Sequence, residues 1–251
     1  MVEIKGLKKS FGSKEVLKGI DLTIPKGKTT VIFGLSGGGK STIIKHIVGL
    51  LKPDSGEIWV DGKEISRADE EQIRQIRKKV GFLFQSGALF DSMNVYENIA
   101  FPLREHTRLN ENEIKTEVLK RLEMVGLNPS EVLHLFPDEL SGGMRKRVGL
   151  ARSIVLNPEI ILYDEPTSGL DPITSDLITQ MIVYLKKRLN VTSILISHDI
   201  EESFKAGDYF AMLYDGKIIE TGDANHFRTT DNPYIRQFLD GMSNGPIQFQ
   251  K

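Results

Sequence analysis

An α/β fold built on a parallel central sheet is predicted by three features of the 251-residue chain. Short apolar runs that stop at polar residues alternate with helix-patterned stretches. A glycine-rich loop separates one such run from a helix, and strand-like segments near the N-terminus read as an antiparallel layer of their own. Val2 to Ile4 and Val16 to Ile24 flank a turn at Gly12-Ser13, and Glu57 to Val60 precedes Asp61-Gly62, which predicts that layer. Thr30 to Phe33 is a strand that leads into the loop. Ile43, Ile44, Ile47, Val48 and Leu51 recur at helical spacing, so Lys40 to Leu51 reads as one amphipathic helix. Val80 to Phe84, Ile160 to Tyr163 and Ser193 to Ile196 have the unbroken apolar character of strands buried on both faces. Thr174 to Leu189 carries Leu177, Ile178, Met181, Ile182 and Leu185 on a helical stripe. The interval from Val95 to Val155 has no strand pattern and reads as a helical insertion.

Composition narrows the function classes. At 39% hydrophobic residues the chain can bury a full core as one large domain or as a domain with a subdomain. Its 33 basic and 34 acidic residues nearly cancel, so no broad cationic surface points to nucleic acid, and none is expected as a partner. Cysteine is absent, which excludes disulfides, thiolate catalysis and cysteine metal sites. No stretch approaches the roughly 20 apolar residues that cross a bilayer, and Met1-Val-Glu-Ile-Lys lacks the apolar core of a secretory signal. A soluble chain is expected, with any membrane role supplied through a partner.

The loop itself reads Gly34-Leu35-Ser36-Gly37-Gly38-Gly39-Lys40-Ser41-Thr42 and fits GxxxxGK[ST] at every fixed position. A polyphosphate carries several negative charges that must be held without forfeiting too much hydration. Main-chain N–H groups on a glycine ribbon can curl toward such an anion, because residues without Cβ reach backbone angles that other side chains forbid. The helix that starts near Lys40 adds its unpaired N–H groups and the positive end of its dipole. Lys40 is then expected on the β- and γ-phosphates and the Ser41 hydroxyl on Mg²⁺.

A second chemical element is Ile160 to Glu165, where a buried strand delivers two adjacent carboxylates at its carboxyl end. Asp164 is expected to hold Mg²⁺ or its water shell, and Glu165 to orient or deprotonate the attacking water. Acidic pairs in this position also cap helices. Three more polar residues occupy strand ends or loops: Gln85 after Val80 to Phe84, His198 after Ile194 to Ser197, and Asp171 after Ser168-Gly169-Leu170. His46, His106, His134 and His226 have no spacing that suggests a metal site.

In this order the motifs resemble the nucleotide-binding subunits of ATP-binding cassette (ABC) transporters, over nearly the whole chain to about Asp240. The resemblance implies a P-loop (RecA-like) parallel-sheet core, an antiparallel β subdomain and an α-helical subdomain at about 91–156, together an ATPase domain over 1–240 with a tail at 241–251. It implies ATP and Mg²⁺ as ligands, with Phe11 stacking on adenine, a glutamine loop at Gln85, and a signature at Leu140 to Gly143. It further implies a D-loop at Ser168 to Asp171 and a switch histidine at His198, with Glu165, His198 and Gln85 as catalytic groups and Ser41, Gln85 and Asp164 around the metal. A head-to-tail dimer would bring Ser141, Gly142, Gly143 and Asp171 of one copy to the nucleotide on the other. Many members have glutamine after the two glycines, where this chain has Met144, whose thioether donates no hydrogen bond.

Leu83 to Val95 with Asn98 to His106, the Leu140 to Arg147 run, and Phe238 to Gly241 with Gly245-Pro246 are similar to ATPases of the Mla/Mce class of lipid transporters. That resemblance implies a transmembrane permease partner gripped by the segment after Gln85, a periplasmic Mce-domain lipid-binding protein, and a small cytoplasmic regulatory subunit. It places the chain at the cytoplasmic face of the inner membrane, peripheral through its partner. The alternatives are an ABC ATPase for another solute and a soluble non-transport cassette of the iron–sulfur assembly type.

Overall fold

A computed structural model describes residues 1–248; Phe249, Gln250 and Lys251, the end of the expected tail, lie outside the described residues. The chain opens with β1 (Val2–Phe11) and β2 (Lys14–Ile24), paired antiparallel through the Gly12-Ser13 turn. β3 (Thr29–Gly34) then leads through the glycine loop into α1 (Lys40–Ile47). α1 is shorter than the apolar spacing predicted: Gly49 at φ +63° ends it, donating its N–H to the His46 carbonyl, so Val48 to Leu51 lie outside the helix. A Cβ at Gly49 would sit 2.7 Å from the Ile73 side chain, so the close approach also requires glycine there.

β4 (Ser55–Val60) and β5 (Lys63–Glu64) complete a four-stranded antiparallel sheet in the order β2-β1-β4-β5, the layer that the N-terminal turns predict. α2 (Glu70–Lys79) follows, opened by a reciprocal cap between Asp69 and Gln72, and β6 (Val80–Leu83) stops one residue before the predicted end at Phe84. From Val95 to Ile154 the chain forms α3 (Val95–His106), α4 (Glu111–Met124), α5 (Pro129–Val132) and α6 (Gly142–Ile154), with no strand among the described residues. β7 (Ile160–Asp164), α7 (Pro172–Leu189), β8 (Thr192–Ile196) and α8 (Ile200–Ala206) return to the α/β alternation. The last elements are β9 (Tyr209–Tyr214), β10 (Lys217–Asp223), α9 (Ala224–Thr229) and α10 (Pro233–Leu239).

The large sheet has the order β10-β9-β3-β8-β7-β6, with β9, β3, β8, β7 and β6 parallel and β10 an antiparallel edge. Two apolar clusters occupy its two faces, and single strands feed both. Val31 and Phe33 of β3 face one cluster and Ile32 the other; Ile161 and Tyr163 of β7 divide from Ile160 and Leu162 in the same way. Alternation between two dry faces is why these strands read as unbroken apolar runs. On the first face Phe33 meets Phe210 at 5.6 Å between ring centroids, with Phe204, Phe227 and Phe238 around it, and the helices between Val95 and Ile154 extend the same core. On the second, Ile43, Ile44 and Ile47 of α1 join the sheet to the antiparallel layer.

Candidate functional site

Strand order places the polar residues before any side chain is considered. The loop after β3, His198 after β8, Asp164 and Glu165 at the end of β7, and Gln85 after β6 fall in sequence along the carboxyl edge of one parallel sheet. That edge is where open α/β sheets collect ligands.

In the glycine loop Gly37 and Gly39 take φ of +73° and +102°, angles that turn successive N–H groups inward, and Gly39 is the N-cap of α1 without any side-chain cap. The first turn of α1 thus keeps its N–H groups for an anion. Lys40 folds back over the loop, donating to the carbonyls of Gly34 at 2.8 Å and Leu35 at 2.9 Å, and Gly38 N–H closes on Leu35 at 3.1 Å. The Lys40 side chain is buried, which pushes its ammonium below the usual lysine range, while the carboxylates of Glu165 and Asp164 pull it back up.

Ser41 Oγ donates to Asp164 Oδ1 at 2.8 Å, joining the loop to β7. Burial lifts the Asp164 carboxyl above its ordinary range, and the Ser41 hydrogen bond offsets part of that lift. A hydroxyl and a carboxylate beside a glycine loop with free N–H groups are the hard oxygen donors that Mg²⁺ takes, so the residues present fit the ion.

Glu165 sits at φ +48° and donates its N–H to Ile196 of β8 at 2.9 Å. A non-glycine residue there costs on the order of 1 kcal/mol, which the surrounding structure must repay. Its carboxylate Oε2 lies 3.2 Å from His198 Nδ1 and 3.4 Å from Gln85 Nε2, and Gln85 Nε2 also approaches Ser168 Oγ at 3.4 Å. One carboxylate therefore stands between the residues that follow β6 and β8.

An open cleft of about 400 Å³ gathers Phe11, Ser36, Gly37, Gly39, Lys40, Ser41, Thr42, Gln85 and Glu165, with Val16 as an unpredicted wall residue. Phe11 is 48% exposed at its rim. Ser141, Gly142, Gly143 and Asp171 are outside this lining. Ser141 is the N-cap of α6, its hydroxyl accepting from Met144 N–H at 3.2 Å, while the Met144 side chain packs against the core. Asp171 caps α7, accepting from Ile173 and Thr174 N–H at 3.0 Å and from the Thr174 hydroxyl at 2.6 Å. The Thr174 hydroxyl holds its carboxyl below the usual range.

Two cations of α6, one buried and one half-buried, have no role assigned by the sequence. Lys146 of α6 is 5% exposed and donates to the carbonyls of Gln85 and Glu165, the latter at 3.3 Å. Its signal was positional: Gly143, Lys146 and Leu150 share the buried stripe of α6, where lysine is out of place unless it has partners. Arg152, two turns on, donates to the carbonyls of Gly87 at 3.1 Å and Ala88 at 2.9 Å.

Behind the loop, His46 of α1 donates from Nδ1 to the Thr42 carbonyl at 2.7 Å, and its buried Nε2 has no partner among the described residues. Burial is the largest influence and lowers the imidazole pKa. A depressed histidine keeps its full share of stability above the unfolded value near 6.5 and loses it as pH falls toward the folded value. Thermal unfolding of the parent and of His46→Gln at pH 8 and pH 5.5 should therefore show a steeper acid loss in the parent. Equal slopes would contradict a neutral buried imidazole.

The family model described as ABC transporter matches residues 17–168. The chain is 44% identical, over 98% of its length and 70% of the relative's, to a probable ribonucleotide transport ATP-binding protein mkl of Mycobacterium leprae. It is 43% identical over all of its length and 94% of the relative's to an intermembrane phospholipid transport system ATP-binding protein MlaF of Haemophilus influenzae. Among solved structures, the ATP-binding cassette MJ0796, a dimer in a post-hydrolysis state bound to ADP and Pi, superposes with a TM-score of 0.82 at 33% identity, covering 89% of this chain and 98% of that one.

Proposed function

The chain belongs to the ABC transporter family as an ATP-binding ATPase subunit, and on that premise we propose that it powers phospholipid transport through a separate membrane permease. The observation that carries the cargo is the match to MlaF, which runs the length of both chains, whereas the chain spans 70% of the relative named for ribonucleotide transport. We assign 1–240 to the ATPase domain, with a helical subdomain at about 91–156, and 241–251 to a tail.

The site residues take the following roles. Loop N–H groups from Ser36 to Thr42 and the Lys40 ammonium hold the phosphates, with Lys40 exchanging the carbonyls of Gly34 and Leu35 for phosphate oxygens; Phe11 offers its exposed ring to adenine. Ser41, Asp164 and Gln85 are the groups that would hold Mg²⁺, which when bound neutralises phosphate charge. Glu165 orients the attacking water and takes its proton as the water oxygen adds to the γ-phosphorus and the bond to the bridging oxygen breaks. His198, already against the Glu165 carboxylate, reaches the γ-phosphate.

A single copy offers an incomplete site, since the cleft lining has no signature residue. A second copy arranged head to tail supplies Ser141, Gly142 and Gly143 at the N-terminus of its 13-residue α6 and Asp171 at the N-cap of its α7. The dimeric cassette among the structural relatives supports this arrangement. ATP then closes two half-sites, and its hydrolysis releases them.

Among the described residues no helix is long and apolar enough to cross a membrane. From the likeness to MlaF we assign the subunit to the cytoplasmic face of the inner membrane, held there by the permease. A groove of about 340 Å³ walled by Phe82, Phe84, Ala88, Phe90, Phe101 and Pro102, with Arg77, Lys78, His106 and Arg152 also in its lining, suits an inserted amphipathic helix from that partner. A Mce-domain lipid-binding protein and a small regulatory subunit complete the proposed assembly. Phe101→Asp, at a 36% exposed position, should cut recovery of the chain with membranes by about tenfold. Its melting temperature and ATP affinity should hold; undiminished recovery would remove the groove from the interface. The cargo is tested by isolating the complex from membranes and following labelled phospholipid in proteoliposomes. ATP-dependent phospholipid movement is expected; movement of a ribonucleotide or another solute in its place overturns the lipid reading.

A further inference from the structure

We propose that Lys146 is a positioning residue of the hydrolytic site, binding the start of α6 to the two loops that present Gln85 and Glu165. The observation is a buried ammonium whose partners are two main-chain carbonyls, those of Gln85 and Glu165. Removing a charge from water is costly unless hydrogen bonds replace its hydration, so the amine holds both carbonyls firmly. The residues whose carbonyls it binds are the ones whose side chains line the cleft.

Fixing a carbonyl fixes the peptide plane, and with it the direction of the attached residue. For Glu165 the constraint matters most, because its φ of +48° persists only under restraint from its surroundings. Three hydrogen bonds provide that restraint: its N–H to Ile196, and its carbonyl shared by Ser168 N–H at 3.2 Å and Lys146 Nζ at 3.3 Å. Arg152 grips the other end of the Gln85 loop through Gly87 and Ala88, the latter also left-handed at φ +47°. α6 thus clamps residues 85–88 at both ends and Glu165 between. Because Ser141 caps α6, a shift of the signature when it meets the nucleotide of a second copy is carried by a rigid helix to the carbonyl of the water-orienting residue. Misplacement of a reacting group by about 1 Å can cost around 100-fold in rate.

The inference rests on the assignment of Glu165, which Glu165→Gln tests by itself. Steady-state ATP turnover of the full chain, within its membrane complex, is to be measured for Lys146→Met, Lys146→Arg and Lys146→Gln alongside ATP affinity and melting temperature. K146M should lower kcat by about 10- to 100-fold with KM within about threefold of the parent, since the amine lies outside the cleft lining. K146R, which keeps charge and several donors, should restore kcat to within about threefold. A K146M enzyme with parental kcat, or one whose KM rises as far as kcat falls, overturns the proposal. Should K146M fail to fold, K146Q decides: its neutral amide, with two N–H donors on a shorter stem in place of a charged amine with three, should leave kcat about three- to tenfold low, and parental turnover there overturns the proposal equally. Normal turnover in Glu165→Gln with a deficit in K146M would sink the Glu165 assignment and leave the tether standing.

Discussion

Glu165→Gln is expected to reduce ATP turnover by about 100- to 10,000-fold while ATP binding survives. Glutamine keeps the size and the hydrogen-bonding reach of the side chain, so the contacts with Gln85 and His198 have a partner after the change. What it loses is the ability to accept a proton. Because ATP then remains uncleaved between two copies, the dimer should persist on size-exclusion chromatography in ATP and dissociate for the parent as hydrolysis proceeds. Turnover within threefold of the parent would remove Glu165 from its role.

Lys40→Ala should weaken ATP binding by about 100-fold or more, equivalent to roughly 2.7 kcal/mol at 1.36 kcal/mol per tenfold. Lys40 is 4% exposed and already stripped of most of its water, so it would enter a charge-assisted bond to phosphate with little further desolvation. Deletion also leaves the Gly34 and Leu35 carbonyls without their donor and the Asp164 and Glu165 carboxylates without a neighbouring cation. Nucleotide affinity, measured by calorimetry on samples of confirmed melting temperature, checks this; parental affinity would contradict the phosphate-loop assignment.

Legibility differed between elements for identifiable reasons. β3, β7 and β8 were plain because strands dry on both faces carry unbroken apolar runs. β9 and β10 went unassigned although Asp215-Gly216 between them is a hairpin signal, and β9 turned out to be a parallel neighbour of β3. The Asp69 and Gln72 pair opening α2 was similarly available, but the helix carries only two apolar residues, Ile73 and Ile76, so its apolar stripe is too short to stand out. The end of α1 was misread because Val48 and Leu51 continue the stripe through a backbone that Gly49 has already turned away. In the site, motif spacing located Lys40, Ser41, Asp164 and Glu165, while Lys146 carried no motif of its own.

From the chain alone followed the chemistry: a glycine ribbon with lysine and serine at fixed spacing, and two carboxylates at a strand end, are local patterns whose reactivity depends on residue type and order. Only the folded arrangement settled that His198, Glu165 and Gln85 meet around one carboxylate oxygen, that Asp171 caps its own helix, and that a lysine from α6 underlies the site. Those contacts join residues distant in sequence, and their existence depends on which strands lie side by side; pairing across a sheet is a property of the whole chain, written in no single segment.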